Sequence, residues 1–198
     1  MSGAVWHEPV VSRAARWERL GLRGGTVWLT GLSGSGKSTI GHALDAALTS
    51  DGVPATVLDA DNLRHGLNAD LGFSDDDRRE NVRRTAEVAR LFAESGTVAI
   101  VPIISPFAAG RDAARAMHAR EGLDFWEVWV STPLDECERR DTKGLYAKAR
   151  AGELRGLSGL DAPYEAPARP DLVLGRGESV DDAVAALRML TGSRRAAR

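Results

Sequence analysis

Several protein classes are excluded by what this sequence lacks. It has one cysteine, Cys137, so it offers neither an intramolecular disulfide nor a thiolate cage for a metal. No apolar run reaches the roughly 20 residues that span a bilayer, and the N-terminal segment lacks the basic and apolar regions of a signal peptide. Its 26 basic side chains are set against 28 acidic ones, so no overall positive field favours nucleic acid or a membrane. We therefore expect a cytoplasmic protein that binds neither.

Histidine is scarce as well, and its placement argues against a metal site. The chain has four histidines at no metal-ligand spacing, so each is expected to be structural or at the surface: His7, His42, His65 and His118. Hydrophobic residues make up 43% and charged residues 27% of the chain, which is ordinary for a globular protein. At roughly 150 residues per domain, the length predicts one domain with extra segments.

Short apolar segments alternate with segments of helical periodicity along the chain. Strands are predicted at 26–30, 55–58, 98–104, 125–130 and 171–174. Helices are predicted at about 37–48, 79–94, 109–119 and 180–190, with a short one from Leu134 and another in the N-terminal arm. This alternation predicts a parallel sheet covered on both faces, with ligands at the carboxyl ends of its strands.

A phosphate-binding loop lies between the first predicted strand and the helix that follows it. Residues Gly31 to Ser38, GLSGSGKS, match G-x-x-x-x-G-K-[ST] at every fixed position. The glycines permit a tight turn whose amides point at an anion, and the helix adds its positive end. Lys37 can reach the terminal phosphates, the Ser38 hydroxyl can hold Mg²⁺, and Thr39 begins the helix. We expect an α/β fold of the P-loop NTPase type, a three-layer sandwich with a mostly parallel sheet, that binds the phosphates of a nucleotide together with Mg²⁺.

Two motifs of other phosphate-loop proteins are missing. There is no Asn-Lys-x-Asp to read guanine, and the third strand runs from Ile104 into Ser105-Pro106 without the acid that a large ATPase usually supplies. These two absences favour a kinase that acts on a small molecule.

Charged and aromatic residues after the second strand are candidates for the acceptor side. Asp61 is expected beside the phosphate loop, on a neighbouring strand, where a carboxylate could orient or deprotonate a hydroxyl or hold a Mg²⁺ water. The alternative is a turn built from Asp and Asn. Arg64, Arg78 and Asn81 could grip a second anion. Phe73 could stack on a nucleobase or act as a hydrophobic plug, and spacing alone leaves both open.

A local excess of positive charge predicts a lid. Residues 139–155 carry six basic side chains against two acidic ones. A lid that closes over polyphosphate excludes water, so the phosphoryl group goes to the acceptor; the alternative is an exposed charged helix. We divide the chain into an N-terminal arm at 1–24, a kinase domain at 25–192 with its lid at about 141–169, and a frayed tail at 193–198.

Several segments in order along nearly the whole chain together resemble the adenylylsulfate kinase (APS kinase) family of P-loop kinases. They are 28–38, 61–64, 66–74, 77–81, 102–106, 140–146 and 159–167, with 5–7 resembling the family's N-terminal arm. That family transfers the γ-phosphate of ATP to the ribose 3′-hydroxyl of adenosine 5′-phosphosulfate and gives PAPS, a step of sulfate activation.

The resemblance implies a role for each candidate residue. ATP phosphates, Mg²⁺ and the ATP base would be bound by Gly31, Leu32, Ser33, Gly34, Ser35, Gly36, Lys37, Ser38, Thr39, Arg139 and Arg140. The acceptor would be bound by Asp61, Arg64, Phe73, Arg78, Asn81, Ile104, Ser105, Lys143, Leu145 and Leu157. The catalytic candidates are Lys37, Asp61 and Ser105. Ser105 matches a serine once regarded as a phospho-acceptor in the family, although in-line transfer needs no covalent intermediate.

Three features depart from the family pattern. Position 60 is alanine where the family usually has glycine, and Leu157 replaces a phenylalanine that usually faces the acceptor adenine, which forgoes a stacking energy of roughly 1 kcal/mol. No sulfurylase domain is attached, so we expect a standalone kinase, and a homodimer is considered. Two alternatives stay open: a kinase for another hydroxyl acceptor, and a nucleotide-binding module without turnover.

Overall fold

A sheet of parallel strands organises the computed structural model, which describes residues 3–5 and 7–192. Within these residues the strands are β1 (Gly25–Thr30), β2 (Ala55–Val57), β3 (Val98–Pro102), β4 (Asp124–Val130) and β5 (Leu172–Leu174). Their order in the sheet is β2-β3-β1-β4-β5, and every pairing is parallel. The strand that precedes the phosphate loop is therefore central. It pairs with β3 and β4, so the prediction that the second strand is its neighbour is wrong.

Helices cover both faces of this sheet. Those of the described part of the chain are α1 (Arg13–Leu20), α2 (Lys37–Ser50), α3 (Ala60–Leu63), α4 (Asp75–Ser95), α5 (Ala108–Arg120), α6 (Leu134–Arg140), α7 (Leu145–Arg150) and α8 (Val180–Thr191). One apolar core joins the sheet to α2 and α8, and a second joins it to α4 and α5. The three-layer α/β sandwich expected from the sequence is confirmed.

Strand β1 contributes to both cores, and this explains its unbroken apolar character. All six of its residues are buried. Val27 and Leu29 lie in the core with α2 and α8, whereas Trp28 lies in the core with α4 and α5. Side chains alternate between the two faces of a strand, so a strand covered on both faces needs apolar residues at successive positions.

The segment between β2 and β3 differs most from the sequence prediction. Helix α4 begins at Asp75 and not near 79, because Ser74 and Asp77 form a reciprocal capping box. The acidic first turn has no apolar stripe, so periodicity missed it. A short helix, α3, occupies part of the predicted loop, and the Asp59 side chain caps it by accepting from the amide of Asp61 at 2.9 Å. Strand β3 also ends earlier than predicted, at Pro102.

The N-terminal arm packs against the end of α4. Trp17 on α1 donates from Nε1 to the carbonyl of Glu94 at 3.0 Å. Trp6, in the segment that resembles the family's arm, and the tail at 193–198 lie outside the described residues. The division into arm, domain and tail stays a prediction. In the part of the chain that the structure describes, no helix is both long and apolar enough to cross a membrane.

Histidine and cysteine occupy the places expected of them. His118 is buried, with its ring nitrogens 2.8 Å from the Thr26 hydroxyl and 2.8 Å from the carbonyl of Ala114. The other three histidines are exposed. Cys137 is fully buried in an apolar cluster, and burial raises the pKa of its thiol. These residues are structural or lie at the surface, as predicted.

Candidate active site

The phosphate loop begins at a point where only glycine fits. A Cβ on Gly31 would lie 2.5 Å from the carbonyl oxygen of Val130 on the adjacent strand, and the backbone there has a φ of +154°. Gly36, which caps α2, has a φ of +103°, and a Cβ there would meet only Arg140, at 3.8 Å. Thr39 is exposed in the first turn of the helix. The loop is thus closed toward the sheet and open toward Arg140.

Side chains hold three carbonyls of the loop, and two of these side chains lie outside the motif. Thr132 donates to the carbonyl of Ser35 at 2.9 Å, and Tyr146 donates to the carbonyl of Ser33 at 2.9 Å. Burial raises the pKa of Tyr146, so its hydroxyl remains a donor. Lys37 donates from Nζ to the carbonyl of Leu32 at 2.6 Å. The Ser35 amide also donates within the loop, to the carbonyl of Leu32 at 3.2 Å. The other loop amides are left to bind an anion.

Lys37 is unusual in being both buried and charged. Its side chain also lies 3.3 Å from the Ser35 hydroxyl, and the residue is 8% exposed. Burial lowers the pKa of Lys37 to about 8, and the nearby ammonium group of Lys143 acts in the same direction. A bound phosphate strongly stabilises a buried ammonium group, because it replaces the interactions with water that burial removes.

Oxygen ligands suited to Mg²⁺ meet at the start of α2. The Ser38 hydroxyl donates to Asp59 Oδ2 at 2.7 Å, and Asp59 is buried. Helix α2 packs against β1, β2 and β3, and its first turn meets a residue that follows β2 although β3 separates β2 from β1. Among the described residues, no group of three or more acidic, histidine or cysteine side chains is arranged so that it could hold a metal ion by itself. Mg²⁺ is commonly bound by one or two protein oxygens, with phosphate and water oxygens completing its coordination. The hydroxyl of Ser38 and the carboxylate of Asp59 fit that arrangement.

The predicted lid, at about 141–169, contacts the predicted acceptor side through an ion pair. Lys143, between α6 and α7, contacts the carboxylate of Asp61 on α3. Their side chains are 53% and 63% exposed, so both remain accessible to a ligand. The lid therefore lies against the carboxyl end of β2, where the acceptor hydroxyl was expected.

An apolar cluster fixes the lid on the phosphate loop. Cys137, Tyr146 and Leu157 are buried together, with Leu32 and Leu145 packed against them. Leu157 is thus part of this lid cluster, and its predicted contact with the acceptor adenine stays a prediction. Because Leu32 belongs to the phosphate loop itself, the loop and the lid share one small core.

Phe73 and Arg64 form a stacked pair at the surface. The Arg64 guanidinium carbon lies 4.2 Å from the centre of the Phe73 ring, and its Nη1 donates to the carbonyls of Leu71 and Gly72, each at 3.1 Å. Phe73 is 69% exposed, so it is not a hydrophobic plug. Arg64 covers one face of the ring, and the exposed remainder of the ring is accessible to a ligand.

Arg78 links α4 to the end of the lid. It donates from Nε to the carbonyl of Phe73 at 2.9 Å and from Nη1 to the Ser158 hydroxyl at 2.6 Å. Its Nη2 donates to the carbonyl of Gly156. Asn81, one turn further along α4, is buried and accepts at Oδ1 from Asn68 Nδ2 at 2.9 Å. Of the predicted anion-binding residues, Arg78 and Asn81 thus lie three positions apart on α4, and Arg64 is close enough to Arg78 for their charges to interact.

Ser105 lies inside a hydrogen-bonded network under the site. It is 1% exposed with a φ of +42°, accepts from Trp28 Nε1 at 3.1 Å and donates to the Thr30 hydroxyl at 2.9 Å. Thr30 in turn donates to the carbonyl of Ile104 at 2.6 Å. Arg111 holds the Ser105 carbonyl at 2.7 Å. The hydroxyl is engaged on both sides and shielded from the cleft.

The two arginines predicted for the ATP base differ in position. Both pair with Glu136, Arg139 at 2.8 Å and Arg140 at 3.0 Å, and their side chains are 72% and 38% exposed. Arg140 is the one that lies beside the phosphate loop, close to Gly36.

Sequence reasoning missed three residues of this site. Asp59, Thr132 and Tyr146 hold Ser38 or the loop, yet none was assigned a role. Asp59 and Thr132 follow the ends of β2 and β4. Because ligands bind at the carboxyl ends of parallel strands, that position could have marked both residues as candidates. Tyr146 stood in a segment that carried the family resemblance, but nothing local pointed to the loop 113 positions away.

Comparison with known proteins identifies the family. A sequence profile described as Adenylylsulphate kinase matches residues 23–175. The bifunctional enzyme CysN/CysC of Mycobacterium tuberculosis is 57% identical over 160 residues, which are 81% of this chain and 26% of that protein. The chain thus spans about a quarter of that relative's length. An adenylyl-sulfate kinase of Bacillus pumilus is 52% identical over 174 residues, covering 88% of this chain and 87% of that one.

A solved structure agrees with these sequence matches. The Mycobacterium tuberculosis APS kinase CysC, solved in complex with AMPPNP and APS, superimposes with a TM-score of 0.84 at 54% identity. The match covers 86% of this chain and 98% of that one. This chain belongs to the adenylylsulfate kinase family.

Proposed function

We propose that this chain phosphorylates the ribose 3′-hydroxyl of adenosine 5′-phosphosulfate with ATP and so produces PAPS. The observation that carries the proposal is a continuous line of contacts across the site. Ser38 at the phosphate loop bonds Asp59, which caps the helix that bears Asp61, and Asp61 contacts Lys143 of the lid. Donor phosphates bound at one end of this line would lie next to a hydroxyl bound at the other.

On the donor side, the loop amides and Lys37 hold the ATP phosphates. Ser38, with Asp59 behind it, would hold Mg²⁺, which neutralises charge on the phosphates when bound. Arg140 adds positive charge at the open side of the loop. We assign Arg139 to the outer edge of the site for the ATP base, because its side chain is exposed and can reach a ligand there.

On the acceptor side, Asp61 orients the 3′-hydroxyl and receives its proton as the new bond to phosphorus forms. Lys143 pairs with that carboxylate before the acceptor arrives and so holds it at the lid. Transfer occurs in line, so positioning and electrostatics supply the catalysis.

Acceptor recognition uses charge at one end and stacking at the other. Arg64, Arg78 and Asn81 bind the phosphosulfate, and Phe73 stacks on the adenine. Ile104, Leu145 and Leu157 border this site. We give Ser105 a positioning role, since its hydroxyl is committed to Trp28 and Thr30 and shielded from the cleft.

Product analysis tests the proposal directly. The protein is incubated with ATP, Mg²⁺ and adenosine 5′-phosphosulfate, and the nucleotides are separated and identified by mass. We expect PAPS and ADP in equal amounts, with turnover reduced at least a hundredfold in Lys37→Ala and Asp61→Ala. Near-wild-type turnover in both variants would contradict the assigned roles, and faster phosphorylation of another nucleoside or alcohol would identify a different acceptor.

A cytoplasmic location and a homodimer complete the proposal. The use of ATP as phosphoryl donor supports the first, and cell fractionation tests it. The exposed apolar side chains of α4, Leu91 and Phe92, support the second, and light scattering of the full chain tests it.

A further inference from the structure

We propose that Asn68 is a positioning residue that orients the side-chain amide of Asn81 so that it donates to the negatively charged group of the acceptor. The inference rests on the proposed function, because it assumes that Asn81 binds the phosphosulfate. It adds a residue to which no role has been assigned, in the segment between α3 and α4.

Asn68 is held firmly enough to orient a neighbour. It is completely buried, its amide donates to the carbonyl of Leu63 at 2.9 Å, and its carbonyl accepts from Leu71 at 3.2 Å. From this fixed backbone its Nδ2 donates to Asn81 Oδ1 at 2.9 Å. The bond joins residues 13 positions apart, so it sets the position of α4 relative to the segment before it.

The bond decides which end of the Asn81 amide is available to a ligand. An asparagine amide has an acceptor oxygen on one side and a donor NH₂ on the other. Asn68 occupies the oxygen, and Asn81 Nδ2 has no hydrogen-bond partner among the residues the structure describes. Arg78 lies three residues earlier on α4, at the predicted anion site. Reversal of the amide would place an oxygen there and repel an anion.

The other end of Asn68 shows that packing alone does not explain this residue. Its Oδ1 is buried and has no hydrogen-bond partner within residues 3–5 and 7–192. An unsatisfied buried acceptor lowers stability, and an apolar side chain of the same shape would avoid that cost. The side chain retains one useful group, the NH₂ that faces Asn81.

Two substitutions of similar shape separate donation from packing. Asn68→Asp replaces the donor by an acceptor, so the Asn81 amide must turn to donate to it and would direct its own oxygen at the acceptor. Asn68→Leu removes the donor without requiring that turn. We expect the KM for adenosine 5′-phosphosulfate to rise at least tenfold in Asn68→Asp and about threefold in Asn68→Leu, because bonds to charged groups are stronger than neutral ones. The KM for ATP should change less than twofold in both.

A double-mutant cycle with Asn81→Ala decides whether Asn68 acts through Asn81. In the Asn81→Ala background, either substitution at position 68 should change the acceptor KM less than twofold. A penalty that persists there would mean that Asn68 acts by its own charge or through the fold, and would overturn the inference. Thermal unfolding and binding of a non-hydrolysable ATP analogue identify variants that fail to fold, and Asn68→Leu supports the cycle if Asn68→Asp is one of them.

The cycle also separates this inference from the function on which it rests. If wild-type protein forms no PAPS, the proposed function fails whatever the variants do. If it forms PAPS but Asn81→Ala alone leaves the acceptor KM unchanged, Asn81 does not bind the acceptor and the inference is overturned while the function stands.

Discussion

Lys143 and Asp61 form an ion pair that joins the lid to the residue proposed to receive the acceptor's proton. The partners lie 82 positions apart in the chain, and both remain more than half exposed. A surface ion pair of this kind contributes at most about 1 kcal/mol to folding. We propose instead that the pair acts in function, by coupling the position of the lid to the charge of the acceptor site.

Loss of this pair should loosen the coupling between ATP cleavage and transfer. In Lys143→Ala we expect kcat for PAPS to fall about tenfold, while ADP formed without PAPS increases because water enters a poorly closed site. Lys148→Ala is the matched control, since Lys148 is an exposed lid lysine that forms no ion pair in the described structure. Equal ADP-to-PAPS ratios in the two variants would contradict the prediction.

Tyr146 should affect ATP more than the acceptor. Tyr146→Phe removes only the hydroxyl that holds the Ser33 carbonyl, and a hydrogen bond of this kind contributes about 1 kcal/mol. We expect the KM for ATP to rise about fivefold and the acceptor KM to stay within twofold. Tyr164→Phe, which loses a hydroxyl 3.2 Å from that of Thr30, is the control that should leave the KM for ATP unchanged.

ATP binding should weaken as the pH rises above about 8. Burial lowers the pKa of Lys37 from 10.5 to about 8 in the folded protein, so the unfolded state binds more protons between these values. Stability of the ligand-free protein should therefore rise with pH across that window, whereas affinity for an ATP analogue should fall because the cation is lost. Calorimetry from pH 7 to 9.5 measures both effects, and Lys37→Ala should show neither.

Asp59 should determine the Mg²⁺ requirement. In Asp59→Asn, the Ser38 hydroxyl loses a charged acceptor beside the expected metal position, and we expect the half-saturating Mg²⁺ concentration to rise about tenfold. Asp112→Asn, which changes an exposed carboxylate on α5, should leave the Mg²⁺ titration of activity unaltered.

Ser105 should prove dispensable for chemistry. In Ser105→Ala we expect kcat to fall less than tenfold and the free energy of unfolding to fall by about 1–2 kcal/mol, because Trp28 Nε1 is left buried without an acceptor. A thousandfold loss of turnover in a variant that remains folded would restore the serine as a covalent phospho-acceptor.

The local sequence pattern was enough to predict the phosphate loop and most of the secondary structure. The match from Gly31 to Ser38 is contiguous, and the strand before it and helix after it are visible as apolar periodicity. The start of α4 was missed because its boundary depends on the Ser74 cap and not on an apolar stripe. Whether Phe73 stacks on a ligand or fills a hydrophobic gap depends on how exposed its side chain is. The spacing of residues in the sequence does not reveal that exposure.

Taken alone, the amino-acid sequence determined that this is an α/β phosphate-loop kinase and which residues were candidates for each substrate, since these follow from neighbours along the chain and from contiguous motifs. Only the tertiary structure decided that β3 separates β1 from β2 and that Asp59 meets Ser38. It also decided that Tyr146 donates to the carbonyl of Ser33 and that Asn68 donates to Asn81. Each of these depends on how the sheet orders its strands and where the lid packs. Such contacts between distant positions are set by the burial of whole faces and leave no signature in the local sequence.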